Sequence, residues 1–211
     1  MMELLDRIRW LGTAGFLIKD ALTIYIDPVG LADGLPKADI VLLTHSHDSH
    51  CSKEDVEKIV TPQTIVVGPK DSVSRFRLNQ LPMLPGETKR ILGLEVRAVA
   101  SYNAKEDTVH PARHNWLGFL LETRGGSIYH TGDATWLPEM EGVRADVLLF
   151  PVEGRDAFGA EDEKLCLETV KPKAVIPMHF DPPGDLERLE RLSRECGRLG
   201  ILLHRLEPSA S

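Results

Sequence analysis

Three histidines follow a short apolar run within six positions, and this stretch constrains the chain more than any other. Residues 40–43 are apolar throughout and are bounded by polar residues, which predicts a buried strand. His45, His47 and His50 come directly after it. Neutral imidazole offers a ring-nitrogen lone pair to divalent metal ions. Because a loop at a strand end can bring the three rings together, the sequence predicts a metal site here rather than a histidine-rich surface loop.

Length and composition are those of one globular domain. The chain has 211 residues, 42% hydrophobic and 27% charged, and α/β folds of this size commonly form a single unit. We therefore expect residues 1–211 to fold as one domain. The formal net charge is −7 and the sequence has no dense basic run. Since phosphate backbones are bound mainly by Lys and Arg, we expect no nucleic-acid partner.

Cysteine usage and hydropathy predict a cytoplasmic protein with no membrane partner. The three cysteines are odd in number, widely spaced and free of C-x-x-C pairs, which suits a reducing compartment. The start of the chain lacks the continuous apolar core of a signal peptide, and no stretch approaches the ~18 apolar residues of a membrane span. Cys51 follows the histidines directly and could ligate a metal, but we interpret it as a small packed residue.

Strand and helix signals predict an α/β fold with two sheets. The front half is rich in hairpins, and the last third alternates β-α-β-α-β, with helices predicted over 160–170 and 186–198. This order indicates two packed sheets with helices outside. A further short helix is predicted over 70–77. Residues 101–115 form a long irregular polar segment, and such segments in compact domains are often functional.

Other polar residues follow predicted strands farther along the chain. His110 and His114 lie in the 101–115 segment, Asp133 follows the strand at 127–130, and His179 follows the strand at 174–177. Each alone could be a turn former or a core histidine. Since strand ends can meet at one edge of a sheet, one metal centre shared with the histidine cluster explains them together. Asp27, at another strand end, either caps a loop or orients a ligand histidine.

Seven motifs spread from Trp10 to Phe180 carry a family resemblance. They are W-L-G-T-A-G-F-L-I, Y-I-D-P, L-T-H-S-H-D-S-H, S-Y-N-A-K, W-L-G-F-L-L-E, I-Y-H-T-G-D and I-P-M-H-F. In combination they resemble the metallo-β-lactamase superfamily of metal-dependent hydrolases, and more narrowly its L-ascorbate-6-phosphate lactonase-like branch. The resemblance implies a four-layer αββα sandwich with a metal site at one edge of its two sheets.

The resemblance also implies the metal ligands. His45 and His47 match ligands of a first ion, His50 and His179 match ligands of a second, and Asp133 matches the carboxylate that bridges the two. Asp27 matches the aspartate that orients a ligand from behind.

The sequence departs from the family pattern at two places. Ser49 stands where the pattern has a metal-binding and proton-accepting aspartate, and Asp48, one place earlier, is the candidate substitute. The histidine that completes the first site is absent from its usual place, where this chain has Tyr102 and Asn103. His110 is the best local substitute, with His114 or Asn103 as alternatives.

The resemblance implies metal-assisted hydrolysis, and we expect the substrate to be a small-molecule ester, lactone or phosphoester. We expect one or two divalent ions, with zinc first and manganese, iron or nickel as alternatives. Asp133 would hold the metal, and Tyr102, Asn103 or Lys105 could donate hydrogen bonds to the developing oxyanion. Two other functions stay open: a metal-binding protein with reduced catalysis because of Ser49, and a phosphodiesterase or nuclease. The sequence leaves room for a homo-oligomer.

Overall fold

Two mixed β-sheets form the framework of the described chain, which in this computed structural model comprises residues 1–104, 109–152, 159–180 and 185–208. The strands of the first sheet, in spatial order, are β1 (Ile8–Gly12), β2 (Gly15–Lys19), β3 (Thr23–Ile26), β4 (Ile40–Leu42), β5 (Ile65–Gly68) and β6 (Asn79–Pro82). The pairs β1–β2 and β2–β3 are antiparallel, and β3 to β6 pair in parallel. The sheet therefore changes from hairpins to parallel strands at β3.

The second sheet repeats this arrangement. Its strands are β7 (Thr88–Ile91), β8 (Leu94–Ala100), β9 (Leu117–Thr123), β10 (Gly126–His130), β11 (Val147–Pro151), β12 (Ala174–Met178) and β13 (Leu202–Leu203), which lie side by side in sequence order. Strands β7 to β10 pair antiparallel and β10 to β13 pair in parallel. The two halves share an architecture although the sequence shows no internal repeat.

Five helices occur in the described chain; the last four cover the outer faces of the sheets, whereas the first packs Leu4 and Leu5 into the cluster between the sheets. They are α1 (Met2–Leu5), α2 (Lys53–Ile59), α3 (Lys70–Val73), α4 (Ala160–Val170) and α5 (Leu186–Leu199), with 3-10 turns at Ala112–His114 and Pro138–Met140. In the part of the chain that the structure describes, no helix is both long and apolar enough to cross a lipid bilayer.

Apolar side chains on opposite faces of the strands form the layers between the sheets and beneath the helices. In β2, Phe16 and Ile18 join the cluster between the sheets, whereas Leu17 joins the cluster beneath α2. In β12, Ile176 faces the other sheet and Val175 packs with residues of α4 and α5. Successive strand side chains point to opposite faces, so every such strand contributes to two apolar layers. The predicted αββα sandwich is confirmed.

One predicted helix is shorter than expected, and one strand was missed. The helix expected over 70–77 ends at Val73, and residues Asn79–Pro82 form a strand that was not predicted. The side chains of this strand are mostly exposed, so it lacks the apolar alternation by which a strand is recognised in sequence. It exists because its backbone pairs with β5 at the edge of the sheet.

Parallel strands place their carboxyl ends at one edge of each sheet. Asp27 follows β3 and His45 lies just beyond β4 in the first sheet, while Asp133 lies beyond β10 and His179 follows β12 in the second. Backbone bonds join the sheets at this edge: Leu117 N–H donates to the Thr44 carbonyl (2.9 Å). The strand ends that carry the candidate ligands therefore meet.

We predict that Gly118→Ala destabilises the fold. A Cβ at this position in β9 would lie 2.7 Å from the carbonyl oxygen of His130 and 3.0 Å from that of Thr131, and backbone atoms cannot yield cheaply. The expected loss is about 1–3 kcal/mol of unfolding free energy in urea denaturation. Gly197→Ala in α5, where an added Cβ meets no atom within 4 Å, is the matched control, and should gain up to about 1 kcal/mol. Equal stability of Gly118→Ala and wild type would contradict the prediction.

Candidate metal centre

A tight turn after β4 brings the first three histidines together. The His47 carbonyl accepts hydrogen bonds from the N–H groups of His50 and Cys51, each at 2.9 Å. The ring of His45 consequently lies 4.8 Å from that of His47 and 3.9 Å from that of His50, centroid to centroid. Ser52 then caps α2 by accepting from the N–H of Asp55. The turn, rather than strand periodicity, gives the cluster its convergence.

Asp27 holds this turn from behind. Its carboxylate is fully buried and accepts from Thr44 N–H (2.8 Å), from Thr44 Oγ1 (2.5 Å) and from His50 Nδ1 (2.7 Å). The bond fixes the hydrogen of His50 on Nδ1 and directs Nε2 towards the opposite side of the ring. Asp27 also adopts a positive φ of 43°, a conformation that Asp tolerates better than most residues. Of the two interpretations of Asp27, the structure supports the orienting one.

Asp133 is presented by a braced turn beyond β10. His130 is fully buried; its Nε2 contacts the Ala14 carbonyl (3.0 Å), and its Nδ1 accepts from Gly132 N–H (3.0 Å). Gly132 has φ +63°, and a Cβ there would lie 2.6 Å from Ser101 Oγ, so only glycine fits. His130 therefore supports the turn, and both of its ring nitrogens are used in doing so.

Four imidazoles surround one carboxylate oxygen of Asp133. The distances from Asp133 Oδ2 to Nε2 are 3.0 Å for His50, 3.5 Å for His179, 3.6 Å for His110 and 3.9 Å for His45. Two separate groups of possible metal ligands are His45–His47–His110 and His50–Asp133–His179, and within each group the ligand atoms lie within 4.8 Å of one another. This arrangement matches the two ligand groups that the sequence resemblance implies, with His110 completing the first.

His179 reaches the centre through an unusual backbone conformation. It has φ +54°, and its N–H donates to the carbonyl of Thr13 (2.8 Å), which itself has φ +47°. Neither residue is glycine, so both conformations cost energy that the surrounding structure must offset. Strain of this kind is common at functional sites.

The segment that carries His110 is fixed by Asn103. Asn103 N–H donates to the His110 carbonyl (2.8 Å), and its side-chain oxygen accepts from Thr135 N–H (2.9 Å). The His110 ring then lies 5.1 Å from that of His45 and 4.9 Å from that of His47. His114 instead stacks on the indole of Trp116 at 4.6 Å. Of the alternatives for the third ligand, His110 is the one that the structure places beside His45 and His47.

Trp116 is a neighbour of the centre that the sequence analysis missed. Its ring lies 4.9 Å from that of His45, 4.8 Å from that of His47 and 5.4 Å from that of His110. Its indole N–H donates to Asp71 Oδ2 (3.0 Å), which fixes the ring plane. The W-L-G-F-L-L-E motif contained this residue, but nothing in the motif indicates that its first member packs on the ligand rings.

Several residues that the sequence raised as candidates are not among the clustered imidazoles and Asp133. Asp48 is fully exposed with Oδ1 3.6 Å from Arg75 Nη1, and the exposed Ser49 follows it in the turn. The Tyr102 hydroxyl donates to Glu139 Oε1 (2.9 Å), so this bond uses the proton that an oxyanion would need. Cys51 is buried among apolar residues, and burial raises the pKa of its thiol to about 11. Lys105 lies outside the described residues.

Burial and neighbouring charges lower the pKa of two histidines of the cluster and raise that of the third. Burial, with the neighbouring His50 second, lowers the pKa of His45 well below its usual value, and the same causes lower that of His47. Burial also acts to lower the pKa of His50, but the carboxylates of Asp133 and Asp27 outweigh it and raise this pKa to about 10. For Asp133, burial opposes ionisation, yet the positive charge of His50 keeps the carboxyl pKa far below normal.

The chain belongs to the metallo-β-lactamase superfamily. A family model described as Beta-lactamase superfamily domain matches residues 7–179. Among its relatives, a UPF0173 metal-dependent hydrolase of Archaeoglobus fulgidus is 29% identical over 196 residues, which is 83% of each chain. Another of that name from Methanopyrus kandleri is 29% identical and covers 92% of this chain and 93% of its own. Membership of the narrower lactonase-like branch stays a prediction.

Solved structures share the fold. A protein of Parabacteroides distasonis has a TM-score of 0.83 at 23% identity, covering 95% of this chain and 93% of its own. The diiron β-hydroxylase CmlA of Streptomyces venezuelae has a TM-score of 0.77 at 16% identity, covering 95% and 52%. Zinc-bound PqqB of Methylobacterium extorquens has a TM-score of 0.65 at 15% identity, covering 95% and 88%. At these identities the likeness extends to the fold alone.

We predict that Asp27→Asn weakens metal binding without unfolding the chain. Asn also tolerates positive φ, so the backbone conformation can persist, but the negative charge that orients His50 is lost. Zinc affinity, measured by competition with a chromogenic chelator, should fall roughly 10- to 100-fold. Asp33→Asn, at an exposed position, is the control and should bind as wild type. Unchanged affinity in Asp27→Asn would show that the His50–Asp27 bond does not support the centre.

We predict that zinc uptake at pH 8 releases a proton. The pKa of His50 is raised from 6.5 to about 10, so between these values the metal-free chain holds a proton that a metal must displace from Nε2. Calorimetric titrations in two buffers of different ionisation enthalpy count the protons released. The count should fall in Asp27→Asn, because the pKa of His50 falls when one carboxylate is removed. A heat of binding that does not depend on the buffer would contradict the prediction.

Proposed function

We propose that this protein is a metal-dependent hydrolase that attacks a small-molecule ester, lactone or phosphoester with metal-activated water. The observation that carries the proposal is the grouping of four imidazole Nε2 atoms within 3.0–3.9 Å of Asp133 Oδ2. The names of the Archaeoglobus and Methanopyrus relatives agree with it. A cytoplasmic location and a small-molecule partner are parts of the same proposal.

The donor atoms fit a divalent metal. His45 Nε2 and Asp133 Oδ1 are buried and have no hydrogen-bond partner among the described residues, and buried polar atoms in native proteins are usually satisfied. Nitrogen and carboxylate donors suit zinc and also iron or manganese. Proteins of the same fold include the Zn²⁺-bound PqqB and the diiron enzyme CmlA, so the fold accommodates zinc and iron. We propose zinc, bound as one or two ions, with His45, His47 and His110 on one side and His50, Asp133 and His179 on the other.

Each side chain has a role in this mechanism. A divalent ion held by these residues would act as a Lewis acid and would lower the pKa of a coordinated water towards ~7. Asp133 would join the two ligand groups, and Asp27 would hold His50 in the required tautomer. The side-chain nitrogen of Asn103 is buried and has no hydrogen-bond partner among the described residues; beside His110, it can donate to the substrate oxygen on which negative charge develops.

One observation favours a second candidate, a metal-binding protein with reduced catalysis. The exposed turn holds Ser49 where the family pattern has a metal-binding aspartate, and Asp48 lies near Arg75 instead. A serine hydroxyl stays protonated at neutral pH and is a poor zinc ligand. In this case His50, Asp133 and His179 would bind a metal ion more weakly than the other three ligands do. Ser49→Asp would then strengthen metal binding at this weaker site.

We predict that His47→Ala abolishes hydrolysis while leaving the fold intact. His47 is half-buried, so its truncation removes a ligand with little loss of core packing. On panels of esters, lactones and phosphodiesters, kcat/KM should fall at least roughly 100-fold. His204→Ala, beyond β13, is the matched control and should keep wild-type activity.

Two outcomes of this experiment decide against the proposal. Equal activity of His47→Ala and wild type would mean that the catalysis measured does not use the metal centre. A full metal complement with no turnover of any substrate class, and turnover gained in Ser49→Asp, would favour the second candidate.

A further inference from the structure

A cavity of about 590 Å³ adjoins the metal centre at His179. Its apolar lining comes from both ends of the chain: Trp10 of β1, Phe180 after β12, Leu186 and Leu189 of α5, and Leu206 after β13. A volume in this range is typical of sites that bury a small molecule. Another cavity, of about 400 Å³ beside Lys70 and Arg113, has none of the proposed metal ligands in its lining.

The carbonyl oxygen of Thr13 contacts both the wall of the cavity and the metal centre. The Thr13 carbonyl accepts from the Trp10 indole N–H (2.9 Å) and from the His179 backbone N–H (2.8 Å). Because the bond to Thr13 uses the indole N–H of Trp10, this ring can offer only carbon atoms to a ligand. The ring of Phe180 stacks on Trp10 at 5.0 Å and 22°. A group held against these rings is therefore positioned relative to His179.

Charge around the cavity does not favour an anion. Arg205 and Glu207 both line it, and their opposite charges offset each other. Apolar side chains, among them the leucines and Phe180, make up more of the lining than polar groups do, so burial of apolar area is the main source of affinity. The lining therefore suits a neutral apolar group better than a phosphate.

We propose that this cavity binds the apolar acyl group of a neutral carboxylic ester or lactone whose carbonyl lies at the metal centre. The inference rests on the proposed hydrolase function and names its substrate class. Water adds to the acyl carbon, the bond from that carbon to the alkoxy oxygen breaks, and the alkoxy oxygen takes a proton. The acid leaves as carboxylate and a proton, so the reaction needs no other reactant.

The test narrows the cavity with Leu186→Trp. Leu186 is 49% exposed in α5 and lines the cavity, whereas Leu165 is 37% exposed in α4 and does not, so Leu165→Trp is the matched control. The substrates are 4-nitrophenyl octanoate and 4-nitrophenyl acetate. In Leu186→Trp the KM for octanoate should rise about tenfold and that for acetate should change less than about twofold. The control should change neither, and zinc content should be equal in all three proteins.

A second readout does not depend on activity. Octanamide is a neutral, unreactive mimic of the ester, and its binding to zinc-loaded protein is measured by calorimetry. We expect binding to wild type and to Leu165→Trp, and affinity about tenfold weaker in Leu186→Trp.

The outcomes separate this inference from the function on which it rests. The acyl site is overturned, and the hydrolase function stands, if Leu186→Trp changes the KM for acetate and for octanoate equally. The same holds if that substitution leaves the affinity for octanamide unchanged. Octanamide binding that Leu186→Trp weakens, without turnover of any ester, overturns the ester-hydrolase reaction and retains the cavity as an apolar ligand site.

Discussion

The hydrogen bonds to the buried carboxylate of Asp27 are the interaction on which the rest of the candidate metal centre depends. This carboxylate receives three hydrogen bonds, two from Thr44 and one from His50 Nδ1. A fully buried carboxylate is costly unless it is satisfied in this way. Once it is, the turn after β4 has a fixed start, and the Nε2 atom of His50 faces Asp133 at 3.0 Å. The imidazoles of His45, His110 and His179 lie around the same oxygen of Asp133.

The centre also depends on the meeting of two similar halves. Each sheet changes from antiparallel hairpins to parallel strands, so each has an edge where carboxyl ends of strands collect side chains. Three contacts join these edges: Leu117 N–H to Thr44, His179 N–H to Thr13, and His130 Nε2 to Ala14, each to a carbonyl oxygen. Since the proposed ligands are divided between the halves, a shift of one sheet against the other would separate Asp133 from His50. The positive φ angles of Thr13 and His179 lie at this junction.

Local sequence patterns predicted what depends on neighbours in the chain. The apolar run of β4, the three histidines after it and the alternation of the inner strands were all visible in the sequence. Edge strand β6 was not, because its pairing with β5 is a tertiary contact that its exposed side chains do not record. The Tyr102–Glu139 bond and the stacking of His114 on Trp116 depend on loop paths. For the same reason the sequence left His110, His114 and Asn103 open as completing ligands.

We propose that one metal centre spans both sheets at Asp133. The most direct test is anomalous diffraction at the zinc edge from crystals grown with zinc. We expect a peak within bonding distance of Asp133 and of the Nε2 atoms of His50 and His179, with or without a second peak among His45, His47 and His110. Peaks confined to surface residues, with the imidazoles around Asp133 bound to no metal, would contradict it.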